Sequence, residues 1–406
     1  MRVDRTVRDG IGERLVRAGI AATAGIAVAA FLAAPAAGQQ DTTRYPTVHP
    51  RGQLQTDVAF YQEDRNPLSN GVEARRARLA AAGELSSRSD YLVEVDFADD
   101  QLNVRDAWLR YRIARELWLQ AGNFKEPFTL ENLTHALWIS FLERSLPVLA
   151  FAPQRHLGAA LRIHRAPVAA TAGIFAQEVG TPRGPTLQGS QAYGVAGRVA
   201  VAPLADSARV LHLGLDLRWR KPDFVQGDSQ VVRFRSLSET HVDQITLYDT
   251  GAVDSATSYA QVVAEAAAVR GPLSLQGEYV RTRVARRAGG DPAFAGGYVF
   301  LSVIPTGESR AYDPVNAEFT GVSRARRHTG VLELLLRYSW LDLNDAGLTG
   351  GSGHDWTGGV SWYPGRNERL MLEYVLTHHD LLATGDGAFA GGDEFHVFQF
   401  RVQLDF

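Results

Sequence analysis

Alternation between apolar and polar residues, repeated in short segments along most of the chain, is the feature that most limits the possible folds. In the last segment Phe398, Phe400 and Val402 alternate with Gln399 and Arg401. A period of two places one set of side chains on each face of a β-strand. After residue 40 no stretch reaches about 18 uninterrupted apolar residues, so the pattern predicts strands and no further membrane-spanning helix.

Sixteen such segments are separated by Gly, Pro, Asp and Asn residues, and 231–237 could add a hairpin arm. An even number is typical of bacterial barrels whose strands run up and down. The pattern therefore predicts an all-β, transmembrane antiparallel barrel of about 16 strands. The predicted strands lie near residues 53–62, 71–85, 90–97, 102–112, 117–124, 157–164, 168–177, 192–202, 209–220, 259–270, 273–282, 296–303, 328–341, 355–363, 369–378 and 394–406.

The first residues of the chain have the order of a secretory signal. Residues 1–17 carry five arginines, residues 18–34 are apolar, and small residues follow before Gln39. We expect a signal peptide at 1–38, a periplasmic lead at 39–52 and a barrel domain at 53–406. A retained anchor is the alternative, because the apolar run approaches the ~20-residue spanning length. Either reading exports the rest of the chain.

A soluble sandwich would also alternate, but its polar face would meet water on the outside. A membrane barrel turns apolar side chains to lipid and polar ones to the lumen. The export signal, the ~10-residue segments and aromatic residues at segment ends favour the barrel, located in the bacterial outer membrane. The tryptophans predicted to form aromatic girdles are Trp108, Trp118, Trp219, Trp340 and Trp362.

The overall composition does not favour nucleic acid as a partner. The formal net charge is -3, so nothing in the overall charge favours nucleic acid, and any anion preference must come from where charges lie. There is no cysteine, which suits an oxidising compartment without requiring it.

One long segment leaves the strand pattern. The strand at 117–124 is followed by Lys125, and alternation does not resume until about Leu157. Long connections inside a compact fold are usually functional. We predict that 125–156 folds into the barrel as a constriction loop and narrows it. A loop lying on the extracellular rim is the alternative.

Arginines recur two residues apart, which places both guanidinium groups of a pair on one face of a strand. Guanidinium groups suit phosphate and carboxylate, so pairs in a lumen could pass anions along. Arg218 and Arg220 continue the polar face of their strand and are predicted to face the lumen, whereas Arg281 and Arg283 are predicted to lie on the outer rim. The other pairs are Arg76/Arg78, Arg110/Arg112, Arg233/Arg235 and Arg324/Arg326.

Signals for catalysis are weak. His378, His379 and Asp380 could suggest a hydrolase, but adjacent histidines on a strand point to opposite faces. No metal-ligand spacing such as H-E-x-x-H is present. The sequence predicts neither an enzyme nor a cofactor.

Several strings resemble the phosphate-selective porin O and P family. GNFKEPF at 122–128, with Leu130-Glu131, and FLERSLP at 141–147 are similar to the family's G-x-F-K-x-P-F and F-x-E-R-S strings. Supporting matches are RRARL at 75–79, VDFA at 95–98 with RDAW at 105–108, RFRS at 233–236 and GPLSLQGEY at 271–279.

The resemblance implies a homotrimer of 16-stranded barrels that passes phosphate or other small anions across the outer membrane. It implies that Lys125 and Arg144 are the constriction cations and that Asp96 lies close by. Arg75 and Arg76 would flank the constriction, and the implied approach ladder is Arg218, Arg220, Arg233 and Arg235. The C-terminal Phe406 resembles the signal read by the barrel-assembly machinery, and lipid and lipopolysaccharide would surround the barrel.

The chain departs from the family in the constriction loop. A hydroxyl is kept at Thr134, but Ala136 and Leu137 cannot donate hydrogen bonds, and His135 adds a group that titrates near neutrality. Phosphate, polyphosphate and a general anion preference therefore stay open, as does a general low-selectivity porin. A non-conducting structural surface barrel is the further alternative.

Overall fold

The structure is a computed structural model that describes residues 45–63, 65–98, 102–179, 191–222, 232–323 and 329–406. The predicted signal peptide, the first part of the predicted lead and the Arg324/Arg326 pair lie outside the described residues. No described helix is long and apolar enough to cross a membrane.

Strands dominate the described residues, and only two short helices occur among them, α1 (Leu130–Leu133) and α2 (Leu146–Phe151). The strands, in chain order, are β1 (His49–Glu63), β2 (Gly71–Ser86), β3 (Ser89–Asp96), β4 (Asn103–Ala114), β5 (Leu117–Lys125), β6 (Arg155–Arg165), β7 (Val168–Phe175), β8 (Tyr193–Ala205), β9 (Arg209–Lys221), β10 (Arg235–Leu237), β11 (Thr246–Asp249), β12 (Ala256–Arg270), β13 (Leu273–Arg286), β14 (Ala293–Val303), β15 (Arg310–Asp313), β16 (Glu318–Val322), β17 (Val331–Asp345), β18 (Leu348–Tyr363), β19 (Glu368–His379) and β20 (Glu394–Asp405).

All of these strands except β10, β11, β15 and β16 form one closed antiparallel barrel. Closure comes from β1 and β20, which pair from Gln53 with Asp405 to Glu63 with Phe395. The predicted all-β barrel of sixteen strands is confirmed, and each predicted segment corresponds to one barrel strand. Two of the predicted domain and loop boundaries differ: β1 begins at His49, inside the predicted lead, and the predicted loop at 125–156 is shorter, because β5 ends at Lys125 and β6 begins at Arg155. Strand limits also shift, most of all for β18, which begins at Leu348 and not near 355.

The two ends of the barrel differ. The first residues of β1 and the C-terminal Phe406 lie at one end, which we call the terminal end; the opposite end is the loop end. Most connections at the terminal end are short, as at 115–116, 166–167 and 271–272. The long connections at 126–154 and 222–255 belong to the loop end. One exception is 304–330, a long connection at the terminal end.

The polarity of the wall is inverted relative to a soluble protein. On β9 the leucines at 213, 215 and 217 are 52 to 55% exposed on the outer face. His212, Asp216 and Arg218 alternate with them and are at most 5% exposed inside the barrel. The acids Glu94, Asp96, Glu333 and Glu373 are likewise buried inside. The outer face therefore suits lipid and the inner face is polar.

Two of the five tryptophans predicted to form aromatic girdles face the lumen, so the prediction was wrong for them. Trp219 and Trp362 are exposed on the outer face. Trp108 instead packs inside against Phe124, and Trp118 pairs in register with the inward-facing Arg162. Tryptophan at a strand end indicates an aromatic girdle only when the face of the strand on which it lies is also known. For β4 that face could not be assigned from the sequence, because arginines occur at both odd and even positions.

Two small hairpins belong to long connections and not to the wall. β10 pairs with β11 in the 222–255 segment, which is the arm that 231–237 suggested. β15 pairs with β16 in the 304–330 segment, and this hairpin was not predicted. Its Phe319 is fully buried against Leu130 of α1, so the hairpin fills part of the barrel from the terminal end.

Candidate ion pathway

The connection at 126–154 crosses the barrel and is held by carboxylates of the far wall. Asp216 accepts a hydrogen bond from the Thr129 backbone N–H at 2.7 Å, and Glu278 accepts from the N–H groups of Leu130 and Glu131 at 2.9 and 2.7 Å. These are the otherwise unpaired N–H groups at the start of α1, so the two acids fix the first half of the loop.

Three arginines hold the second half of the same loop. Arg369 donates to the carbonyl oxygen of Ile139 at 2.6 Å, Arg401 to that of Leu142 at 2.6 Å, and Arg337 to that of Glu143 at 3.0 Å. All three arginines are at most 1% exposed. The loop thus folds into the barrel, as predicted, and is tethered on both sides.

Lys125 and Arg144 meet at one point of this loop. The Lys125 ammonium and the Arg144 guanidinium both donate to the carbonyl oxygen of Asn132, the latter at 3.4 Å. Arg144 also donates to the carbonyl oxygens of Glu131 and Thr134 at 3.2 Å each. The structure therefore brings together the two residues implied to be the constriction cations, at the C-terminal end of α1.

No carboxylate in the described part of the chain forms an ion pair with Lys125 or Arg144. The surrounding wall adds three more cations, Arg78, Arg105 and Arg155, and three acids that pair with them. Arg78 lies 2.7 Å from Asp96, Arg155 lies 2.6 Å from Asp106 and 3.7 Å from Glu94, and Arg105 lies 3.9 Å from Asp96. Arg78, Arg105 and Arg155 thus have carboxylates within 4 Å. The acids that act electrostatically on Lys125 (Asp106 and Glu318) and on Arg144 (Glu131 and Glu143) lie farther away than that.

Arg75 and Arg76 both reach the interior because β2 has an irregular register. Gln55 pairs with Arg76, but Thr56 pairs with Ala74, so Arg75 is the extra residue of a bulge. Arg75 contacts Glu143 of the loop at 2.6 Å, and Arg76 lies 3.8 Å from the same carboxylate. Burial would raise the pKa of Glu143, but Arg75, Arg76 and Arg401 outweigh it and hold the pKa well below its usual range. These two arginines therefore share one carboxylate, which Arg401 also contacts.

The predicted approach ladder is divided. Arg218 and Arg220 face the lumen and contact Glu126 at 2.6 and 3.5 Å. Burial opposes ionisation of Glu126, but Arg218 and His156 overcome it and lower its pKa to about 2. Arg233 pairs with Asp249 at 2.6 Å, and it lines, with Arg220, a cavity of about 280 Å³ towards the loop end. Arg235 is exposed on β10 and does not line this cavity.

Two loop residues singled out in the sequence have different surroundings. The Thr134 hydroxyl donates to the Leu130 carbonyl oxygen at 2.9 Å, so it is used within α1. His135 is partly exposed, and its Nε2 lies 3.7 Å from Glu94. Burial lowers the pKa of His135, although Glu94 opposes the shift.

The two histidines considered as catalytic candidates lie on opposite faces of β19. His378 contacts Glu394 at 2.6 Å on the outer face, whereas His379 is buried on the inner face. Within the ranges that the structure describes, no group of three or more His, Asp or Glu side chains is placed to hold a metal ion. Arg281 and Arg283 are exposed on the outer face, as the rim prediction requires.

Sequence reasoning did not single out several of these groups. Arg155 lies opposite Lys125 in the register of β5 and β6, but it precedes the predicted start of its strand at 157. Arg369 and Arg401 occupy the polar parity of clear strands, which could have indicated inward placement. Their contacts with loop carbonyls had no signal in the sequence.

Comparison with known proteins decides the family. The model of a family described as phosphate-selective porin O and P matches residues 48–406. The chain belongs to the phosphate-selective porin O and P family. A Pseudomonas aeruginosa relative, Porin O, is 25% identical over 394 residues, covering 87% of each chain. An uncharacterized protein of Caulobacter vibrioides is 29% identical over 375 residues, covering 88% of this chain and 73% of that one.

Solved porins share the fold of this porin O and P family member. An anion-selective porin from Comamonas acidovorans superposes with a TM-score of 0.57 at 15% identity, covering 89% of this chain and all of that one. The outer membrane channel DcaP of Acinetobacter baumannii gives a TM-score of 0.53 at 12% identity, covering 90% of this chain and 99% of that one. Family and fold are those of outer-membrane channels.

Proposed function

We propose that this protein is a passive anion channel and that anions cross it at Lys125 and Arg144. The observation that carries the proposal is that both cations converge on the Asn132 carbonyl oxygen without a carboxylate partner in the described residues. Both cations are half-buried, and a partly desolvated cation is stabilised by a counter-ion. A passing anion would supply the missing charge, and weak binding would let it leave.

The other predicted site residues act around this point. Arg220 and Arg233 line the cavity towards the loop end, and with Arg218 they form the approach. Their acids, Glu126 and Asp249, keep that approach from holding anions tightly. Asp96, through Arg78, and Glu143, through Arg75 and Arg76, limit the net charge of the constriction. Arg235 is the weakest member of the proposed pathway, since it lies outside that cavity.

Phosphate or polyphosphate is the proposed cargo, in keeping with the family description. One observation favours a general anion channel instead. The Thr134 hydroxyl is used by the Leu130 carbonyl oxygen, so it does not offer a hydrogen bond to a passing phosphate. Arg144 would be left as the main donor to the anion, and guanidinium also binds carboxylates.

The setting of the channel is also a proposal. We propose export by residues 1–38, assembly through the C-terminal strand ending at Phe406, and a homotrimer in an outer membrane with lipopolysaccharide. Support comes from the outer face: Phe406 is 74% exposed, and the aliphatic side chains of the strands face outwards. The terminal end would then face the periplasm.

The test is the zero-current potential of the purified, folded protein in a planar bilayer across a KCl gradient. We expect an anion-selective sign, and we expect Lys125→Gln or Arg144→Gln to lower the anion preference about fivefold, the effect of one unit charge at ~4 Å in water. Arg283→Gln, which removes an exposed outer-face arginine, is the matched control and should change nothing.

Three outcomes would contradict the proposal. Cation selectivity of the wild-type protein would exclude the anion pathway. A folded barrel without conductance would favour a structural surface protein. Turnover of lipid or peptide that His378→Ala abolishes would favour a hydrolase. Block of the chloride current by added phosphate would support phosphate as the cargo over a general anion preference.

A further inference from the structure

A second basic cavity lies inside the barrel towards the terminal end. Its volume is about 290 Å³, and the side chains that define its chemistry are Arg110, Arg162, Arg198, Trp118 and Asp313. Arg162 lies four residues before the turn at 166–167, which places the cavity nearer to the terminal end than Lys125 is. The cavity contains none of the residues assigned above to the anion pathway.

Arg162 differs from its two neighbours in having no carboxylate within 4 Å among the described residues, although Glu318 and Asp313 act on it from farther away. Asp90 holds Arg110 with contacts of 2.6 and 3.0 Å, and Glu265 holds Arg198 at 2.8 Å. Among the described residues no carboxylate lies within ion-pair distance of Arg162. Its guanidinium donates only to neutral oxygens, to Gln120 at 2.9 Å and to Asn316 at 2.6 Å. Three of its five N–H groups are left for another acceptor.

The hairpin of β15 and β16 forms one wall of this cavity and is fixed in place. Arg198 donates to the carbonyl oxygen of Ala317 at 2.9 Å, and Tyr312 contacts His212 at 2.7 Å. Asn316, which accepts from Arg162, is itself held by Asp313 at 2.6 Å. The groups around Arg162 are therefore ordered before any ligand arrives, which reduces the entropic cost of binding.

We propose that this cavity is a second anion site, in which Arg162 and Arg110 bind a small oxyanion such as orthophosphate. The inference rests on the proposed function, because the anion must reach the lumen. A planar guanidinium matches two oxygens of an oxyanion, and an enclosed cation gains more from a counter-ion than an exposed one does. Anions would then pass between two binding points along the barrel, as conduction by successive sites requires.

The experiment locates tungstate, an oxyanion with strong anomalous scattering, in crystals of the full protein, and measures orthophosphate binding by equilibrium dialysis at low salt. We expect tungstate at Arg162 as well as at Lys125 and Arg144. Arg162→Gln should abolish the peak in the cavity and weaken orthophosphate binding there by about tenfold or more, the usual effect of losing charge-assisted hydrogen bonds. Arg165→Gln, an exposed arginine of the same strand, is the control.

A second variant keeps Arg162 and gives it a carboxylate partner within the protein. Gln120→Glu places a carboxylate where a neutral oxygen now lies 2.9 Å from Arg162. It should abolish oxyanion binding in the cavity while preserving the shape of the side chain and the fold. If tungstate binds near Lys125 and Arg144 but not in the cavity, the second site is refuted alone. If it stays in the cavity of either variant, the assignment of that site to Arg162 is refuted. If neither location binds, the proposed channel function fails with it.

Discussion

At the scale of single residues, charge compensation separates structural arginines from candidate transport residues. Arg337 and Arg401 are fully buried and contact Glu239 and Asp57 at 2.5 and 2.6 Å. Removing either partner would leave a buried charge, which typically costs about 3–5 kcal/mol. Lys125, Arg144 and Arg162 are held by neutral oxygens instead. These three are the residues to which we assign a mobile anion, whereas Arg310, which also donates to a neutral oxygen of Gln276, is covered by the rings of Phe300 and Phe319.

His135 should make the selectivity depend on pH. Burial lowers the pKa of His135, so the side chain is neutral at pH 7. It gains a positive charge only when the pH falls below the ordinary pKa of histidine. We expect the anion preference to rise about two- to threefold from pH 7 to pH 5, the effect of one charge ~7 Å from the ion in water. The zero-current potential of wild type and His135→Asn at both pH values measures it.

The control for this prediction is His378→Asn, because His378 lies on the outer face away from the lumen. This variant should keep the pH response of the wild type. A response that survives in His135→Asn would show that another group is responsible.

At this scale the sequence predicted which side chains face the lumen better than it predicted their ion-pair partners. Period-two alternation identified Arg218 and Arg220 as lumenal, and both are. It could not foresee that both pair with Glu126, because that acid lies in a loop 92 residues away from Arg218 in the chain. The inward turn of Arg75 depends on a bulge in β2, which alternation alone cannot reveal.

At the scale of elements, two inserted segments narrow one barrel from opposite ends. The loop at 126–154 enters from the loop end, and the β15–β16 hairpin enters from the terminal end. Phe319 of the hairpin packs against Leu130 of the loop, so the two segments meet in the interior. The loop was predictable, since it interrupts alternation for nearly thirty residues. The hairpin was not, because its strands of four and five residues are too short to show a clear period of two.

Removal of the hairpin should widen the channel. Ser309 and Ser323 lie next to each other, since the Ser323 backbone N–H donates to the Ser309 carbonyl oxygen at 2.7 Å. A short Gly-Ser linker can therefore replace residues 310–322 without straining the barrel. We expect a larger single-channel conductance, with anion preference retained because Lys125 and Arg144 stay in place. Planar-bilayer recordings measure both quantities.

A replacement of similar length in 380–393, the connection between β19 and β20, is the comparison. That segment lies at the loop end, so shortening it should leave the terminal-end hairpin and its narrowing intact. Equal conductance of the hairpin deletion and the wild type would show that the hairpin does not limit ion flow.

At the scale of the whole molecule, the inverted polarity of the barrel wall suits lipid on the outside and water in the lumen. The same alternation could describe a soluble sandwich, and what separates the two is which face is enclosed. Closure of β1 on β20 encloses the polar face and leaves no unpaired edge strand in the barrel. The leucines of β9, with Val262 and Leu275 on the next strands, then cover the outside.

The loss of stability caused by an arginine on the outer face should depend on its position along the strand. Leu215 lies at the middle of β9 and is 52% exposed outwards, whereas Leu211 lies near its terminal end. Leu215→Arg should destabilise the barrel by about 2–4 kcal/mol, and Leu211→Arg by about 0–1 kcal/mol, because the cost of arginine falls from the bilayer midplane to its interface. Reversible urea unfolding in lipid vesicles measures the difference. Equal costs at both positions would mean that the outer face of β9 does not meet the hydrocarbon core of a membrane.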